Sequence, residues 1–303
     1  MFRRFAALLL CVCAVISFSA AKAEETGYVE NEWNFAEGSM DISGGIPEEA
    51  SGVLARIREN GKLRVATEPY FPPQEFIDPD LTGQEQYIGA DIEMAKYIAE
   101  KMGVGLEIVP MDFTEVLTAV AEDRCDLAIS ALAYTPSRAA SNELSKGYYF
   151  SEENAKTGLI IRSEDADNIK SIEDLKDKKI LAQSGSLQEA MAAENVLNYL
   201  EFRRIVSAQS IYDMIIRRKA DAAFMDTETA ETYIQNNPGC GLTMVAGISF
   251  SLEPQYEGDR IAGKKGELEL MFFVNGVIDE ILEGGLYLSW MEEAQKRAEE
   301  LEL

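Results

Sequence analysis

The sequence predicts an α/β protein of two lobes, each a mostly parallel sheet flanked by helices, joined by a two-strand hinge. Three observations carry this expectation. Strand-like apolar runs alternate with helix-length segments from Lys62 to Met225, the mark of parallel strands linked by right-handed crossovers. The alternation comes in two series, with a break near Ser151–Lys156. The chain of 303 residues also remains long enough for about two domains after a removable leader is subtracted.

Met1–Ala23 reads as a secretory signal. Arg3 and Arg4 supply the positive start, Phe5 to Phe18 the apolar stretch, and Ala21-Lys22-Ala23 a small-residue cleavage site. Cys11 and Cys13 do not make it a lipoprotein signal, because Leu10 and Val12 stand where that signal wants a small residue. Residues 24–51 are acidic and rich in Gly and Ser, with scattered Trp33, Phe35 and Ile46, and are expected to form an extended arm.

Regular structure is expected from Val53, in a short helix stopped by Gly61. Lys62 to Thr67 then alternates as a strand, with Leu63 and Val65 on one face. Ala90–Met102 is an amphipathic helix in which Ile92, Ala95, Ala99 and Met102 share a face. Asp91 is placed to cap it and Gly103 to end it. Leu106–Pro110 reads as a strand, Asp112 or Thr114 opens the next helix, and Asp126–Leu132 is a buried strand, apolar apart from Ser130. The second series comprises strand Gly158–Arg162, a turn at Ile172–Leu175, strand Lys179–Gln183, helices Leu187–Leu200 and Ile211–Arg218, and strand Asp221–Met225. A polar link, Glu253–Asp259, precedes a closing segment that is helical after Gly266 and broken at Gly284-Gly285. The expected lobes are therefore 52–153 with 259–303, and 154–258.

Charge narrows the function classes. There are 28 Lys and Arg against 53 Asp and Glu, a net charge of −25, and the leader holds three of the cations and no acid. Such a surface does not neutralise phosphates, which excludes nucleic acid as a partner and disfavours an anionic membrane face. No second apolar run approaches 18 residues, so no membrane insertion is expected after the leader is cut. The chain has no His, which removes Ser-His-Asp and Cys-His catalysis and every His-ligated metal site. No metal or cofactor is expected. Cys125 and Cys240, the two cysteines beyond the leader, fall in different expected lobes and are expected to be unpaired thiols.

Ligands of open α/β sheets bind beyond the carboxyl ends of the strands. Just past those ends lie Glu68 and Phe71, then Arg138, then Ser184-Gly185-Ser186 opening a helix at Leu187, then Asp226. Together they suit a zwitterion. An Arg guanidinium grips a carboxylate through two charge-assisted hydrogen bonds. A helix start offers free N–H groups, here marked by the capping-box spacing of Ser186 and Glu189. Asp226 can receive an ammonium, although it can equally serve only to cap a helix at Thr227. Neither a Walker loop nor a G-x-S-x-G turn occurs.

From about Gly61 to Gly285 the chain resembles the family 3 extracellular solute-binding proteins, the polar amino acid receptors of ABC importers. The resembling stretches are Lys62–Pro69, Phe71-Pro72-Pro73, Gly89–Ile92, Asp126–Ser130, Tyr134–Arg138, Ser171–Lys176 and Asp221–Asp226. The likeness implies a periplasmic-binding-protein-like (type II) fold that closes over an amino acid. It places Arg138 on the ligand carboxylate, Asp226 and Ser130 on its ammonium, and Phe71 and Phe113 as aromatic walls. It puts Ser186-Leu187 at the carboxylate-binding turn of the second lobe, and Glu68 at a position that is acidic in receptors for basic amino acids. Ala133 and Leu187 depart from the pattern by removing hydroxyls from the carboxylate end. Gln74 replaces a common aromatic, and residues 24–51 have no counterpart.

The expected function is capture of an amino acid or related small zwitterion outside the cytoplasm, in the periplasm or cell envelope, for delivery to an ABC permease. The protein is expected to be monomeric and not an enzyme. Two alternatives stay open: a cyclohexadienyl or arogenate dehydratase on the same scaffold, and a sensor module acting with a separate partner.

Overall fold

The computed structural model describes residues 36–150, 156–251, 257–301 and 303. The expected leader and the arm's Trp33 and Phe35 lie outside the described residues. Two five-stranded sheets and a small three-stranded one make up the β-structure of the described residues.

The first sheet is built from β1 (Lys62–Thr67), β5 (Gly105–Pro110), β6 (Leu127–Ala133), β7 (Asn142–Leu144) and β13 (Asp259–Lys264), in the order β5-β1-β6-β13-β7. Strands β5, β1 and β6 pair in parallel, whereas β13 runs antiparallel between β6 and β7. Helix α1 (Gly52–Asn60) leads into β1 and ends at Gly61, whose φ of 62° is the left-handed stop that glycine adopts without strain. One face of the sheet buries Leu63, Val65, Leu127 and Ile129 against α2 (Ala90–Met102) and α8 (Leu268–Glu283). The other buries Ala66, Ala128 and Leu132 against α3 (Phe113–Ala121). This alternation is what two covered faces of a parallel sheet require.

The second sheet takes β8 (Lys156–Arg162), β9 (Lys179–Gln183), β10 (Glu201–Ile205), β11 (Ala222–Asp226) and β12 (Leu242–Ser251), in the order β10-β9-β11-β8-β12. Here β8 is the antiparallel member of the core. Helix α5 (Leu187–Asn195) covers one face, and α6 (Ala208–Ile216) and α7 (Thr227–Asn236) the other. The chain crosses from the first sheet to the second after Leu144 and returns after Ser251. Where they leave the first sheet the crossings are paired: Tyr148 N–H donates to Asp259 O and Asp259 N–H to Tyr149 O, each at 2.9 Å.

Several sequence expectations need correction. The helix from Leu187 stops at Asn195 rather than Leu200, because the backbone beyond it turns to pair Leu200 with Lys178 and runs into the unforeseen β10. The polar link ends in a strand, since Asp259 opens β13. Strand β12 was likewise not foreseen. Asp91 does not cap α2; Gly89 precedes that helix, and the Asp91 side chain turns inward. The described part of the arm is fastened to the first lobe: Asn275 Nδ2 donates to Ala36 O and Gly38 O, and Ala36 N–H donates to Leu144 O.

Candidate functional site

A cavity of about 900 Å³ lies between the sheets, and all eight candidate residues (Glu68, Phe71, Phe113, Ser130, Arg138, Ser186, Leu187 and Asp226) line it. The parallel strands explain why: β1, β6, β9 and β11 all point their carboxyl ends at it.

Arg138 is held by local chemistry. Pro136 opens α4 (Pro136–Ser141), and Thr135 caps it by accepting from Arg138 N–H at 3.1 Å. The side chain turns back so that Nη1 donates to Ala133 O at 2.6 Å, and Nη2 reaches across to Gly185 O at 3.2 Å. The guanidinium lies 5.4 Å from the centre of the Phe113 ring. Burial pulls its pKa down to about 10, opposed by the charge of Asp259, so it stays cationic at neutral pH. Arg138 is the only Lys or Arg among the described residues lining the cavity.

Acids face it in number. Glu68 follows β1 and is buried, accepting from Gln183 Nε2 across the cleft at 2.6 Å. Burial pushes its pKa up to about 7, the hydrogen bond from Gln183 opposing and Asp112 adding to the rise. Asp226 ends β11 and caps α7: its Oδ1 accepts from Thr229 N–H at 2.9 Å and from Thr229 Oγ1 at 3.0 Å. The capping reading and the place in the cavity hold together. Burial raises its pKa as well.

Ser130 breaks the apolar run of β6 and points inward, accepting from Glu68 N–H at 3.1 Å and donating to Glu75 Oε1 at 2.8 Å. Ser186 caps α5 through Glu189 N–H at 3.1 Å. Glu189 closes on Gly185 N–H at 2.7 Å, one residue earlier than a capping box requires. Gly185 has φ +76°, a value that favours glycine, so the loop can bring its carbonyl to Arg138.

Three residues of the site escaped the sequence reading. Glu75 on β3 (Glu75–Ile77) lies in the small sheet with β2 (Tyr70–Phe71) and β4 (Tyr87–Ile88), in a stretch to which the sequence assigned no element. Asp259 was hidden in the polar link, and Gln183 at a strand end carried no motif. An acid inside the apolar run Phe71–Ile77 was the one available signal for Glu75.

Residues 63–293 match the sequence profile of the bacterial extracellular solute-binding proteins, family 3. The chain belongs to this family. An arginine-binding extracellular protein of Bacillus subtilis is 31% identical over 179 residues, which cover 58% of this chain and 65% of that protein, just under two thirds. The structure of an amino acid ABC transporter substrate-binding protein from Streptococcus pneumoniae, bound to L-arginine, superposes with a TM-score of 0.71 at 33% identity, covering 80% of this chain and 98% of that one. A cyclohexadienyl dehydratase of Pseudomonas aeruginosa is 29% identical over 188 residues, 60% of this chain and 65% of the enzyme. The family 3 chain thus shares its two-lobed fold with amino acid receptors, in a family of extracellular solute-binding proteins that also has an enzyme among its relatives. Among the described residues no helix is long and apolar enough to cross a membrane, and no group of three or more acids and cysteines is arranged to hold a metal ion. Cys125 and Cys240 are both free thiols.

Proposed function

We propose that this family 3 protein encloses an amino acid with a cationic side chain between its lobes outside the cytoplasm and presents it to the permease of an ABC importer. It acts as a monomer without a cofactor, its lobes formed by 52–153 with 259–303 and by 154–258. The observation that carries this reading is the cavity's charge. One buried Arg138 shares it with Glu68, Glu75, Asp226 and Asp259, and burial raises the pKa of each of these four acids. A ligand with one anionic and two cationic groups complements that set.

In this reading Arg138 and the start of α5 receive the carboxylate. Asp226 and Ser130 receive the α-ammonium, Phe71 and Phe113 flank the aliphatic stem, and Glu68 meets the distal cation. The ligand touches both lobes, so binding favours the closed arrangement over the open one. The contacts Arg138–Gly185 and Glu68–Gln183 already join the lobes. The arginine-bound Streptococcus structure and the arginine-binding Bacillus relative support the choice of ligand class.

Isothermal titration against the twenty amino acids tests it, with tight binding expected for arginine, lysine or both. Binding of no amino acid overturns the reading. The dehydratase relative motivates one enzymatic control, since a carboxyl titrating near neutrality, as Glu68 does, could serve as a general acid. Purified protein is expected to leave prephenate and arogenate unchanged, and turnover of either would favour the enzyme.

A further inference from the structure

At the floor of the cavity β6 holds two carboxyl groups, Glu75 lining the cavity and Asp91 buried behind it. Ser130 and Ala131, neighbours on β6, each hold one: the Ser130 hydroxyl donates to Glu75 Oε1 at 2.8 Å, and Ala131 N–H donates to Asp91 Oδ2 at 2.9 Å. Ala131 is free to do so because β6 carries two more residues than β13 between the pairs Leu132–Arg260 and Ala128–Ala262, and it sits in the left-handed region at φ 44°. Asp91 is well supplied with donors. Tyr148 OH gives to Oδ2 at 2.9 Å and Tyr287 OH to Oδ1 at 2.7 Å.

Glu75 differs. It is 1% exposed, and its Oε2 has no hydrogen-bond donor among the described residues. The Asp91 carboxyl, itself an acceptor, is its neighbour within reach of a shared hydrogen bond. Two carboxyl oxygens can bond to each other only through a proton, and Asp91, with three other donors, is the better place for the negative charge. The surroundings reinforce this. Asp259 on β13 and Glu68 after β1 add negative charge, with Asp226 and Glu228 beyond Asp259, while Arg138 opposes them through Asp259.

We propose that Glu75 is a further ligand-binding acid, held in reserve: in the empty cavity it carries a proton that it donates to Asp91, and it releases that proton to solvent when the ligand's ammonium settles beside Ser130. The O–H bond of Glu75 breaks, water takes the proton, and the ammonium replaces it as the partner of the carboxylate. Burial, followed by the charge of Asp91, pushes the Glu75 pKa well above the ordinary range, in keeping with a protonated resting form. The inference rests on the reading that the ligand brings an ammonium, and it adds that affinity rises with pH, by up to about tenfold per pH unit for one proton released.

The test is isothermal titration of L-arginine and L-lysine in two buffers of different ionisation enthalpy at several pH values, for the parent and for Glu75→Gln. The amide can donate to Asp91 and its carbonyl can accept from Ser130, so the variant copies the protonated form and should fold. The parent is expected to release about one proton more per ligand than the variant and to bind more tightly as pH rises. The variant is expected to bind more weakly, with a flatter pH dependence. Equal proton counts and equal slopes overturn the role of Glu75 while leaving the amino acid reading intact; absence of binding by every amino acid overturns both. Infrared spectra of the empty proteins give a readout that needs no ligand: the parent should show a protonated carboxyl band that Glu75→Gln lacks, and its absence overturns the resting form proposed here.

Discussion

Replacing Arg138 with Ala is the most direct probe of the carboxylate end. Arg138 is 7% exposed, and two backbone carbonyls and the Phe113 ring hold its guanidinium in place. Truncating one partner of such a desolvated charge pair costs about 2–5 kcal/mol. At about 1.4 kcal/mol per tenfold, that is about 30-fold to several thousand-fold in affinity. Neither Ala133 nor Leu187 offers a hydroxyl to take over the carboxylate, so a loss of about 100-fold or more is expected. Arg138→Lys keeps the charge without the fork and should fall between the two. Affinity is read by isothermal titration with whichever cationic amino acid binds the parent, beside the melting temperature of each empty variant. A folded Arg138→Ala protein that binds as tightly as the parent refutes the assignment.

Gly89 carries a second prediction. Its φ is 121°, and an added Cβ would lie 2.2 Å from Gln74 O, a backbone atom that cannot step aside cheaply. Gly89→Ala should cost about 3 kcal/mol or more in denaturant unfolding, and an unchanged midpoint would contradict the packing described for β3 and α2. A third concerns pH and the empty protein. Glu68 rises from an ordinary 4.5 to about 7 on folding, chiefly through burial. Its contribution is therefore fully present below pH 4.5 and is lost as pH climbs through 7, a change of about 3 kcal/mol at most. Glu75 and Asp259 act in the same direction. Glu68→Gln should flatten the fall in stability between those limits, and parallel curves for variant and parent would argue against it.

The fold was legible where one sheet face or one helix stripe repeats. Ala90–Met102 and Lys179–Gln183 matched to the residue because apolar period and glycine stops agree there. Strands β10, β12 and β13 were not seen. Strands β12 and β13 pair with partners far back in the sequence, and in β10 residues such as Glu201, Arg203 and Arg204 carry little of the alternation that a half-buried strand shows. The candidate site was readable because Glu68, Phe71, Arg138, Ser186, Leu187 and Asp226 come just after expected strand ends, where topology assigns them to the cavity, whereas Phe113 and Ser130 were given by the family resemblance. Glu75 and Asp91 were missed or misassigned for a physical reason: their partners, Ser130, Ala131, Tyr148 and Tyr287, come from three other parts of the chain.

The placement of β13 between β6 and β7 has a consequence for biogenesis. The sheet that starts at Lys62 has a gap in its middle until residues 259–264 arrive, whereas every strand of the other sheet lies within residues 156–251. On a growing or translocating polypeptide, the half that emerges first is the half that finishes last. Until then the edges of β6 and β7 are open to chaperones and to wrong pairing, which makes late synthesis the vulnerable interval for this molecule.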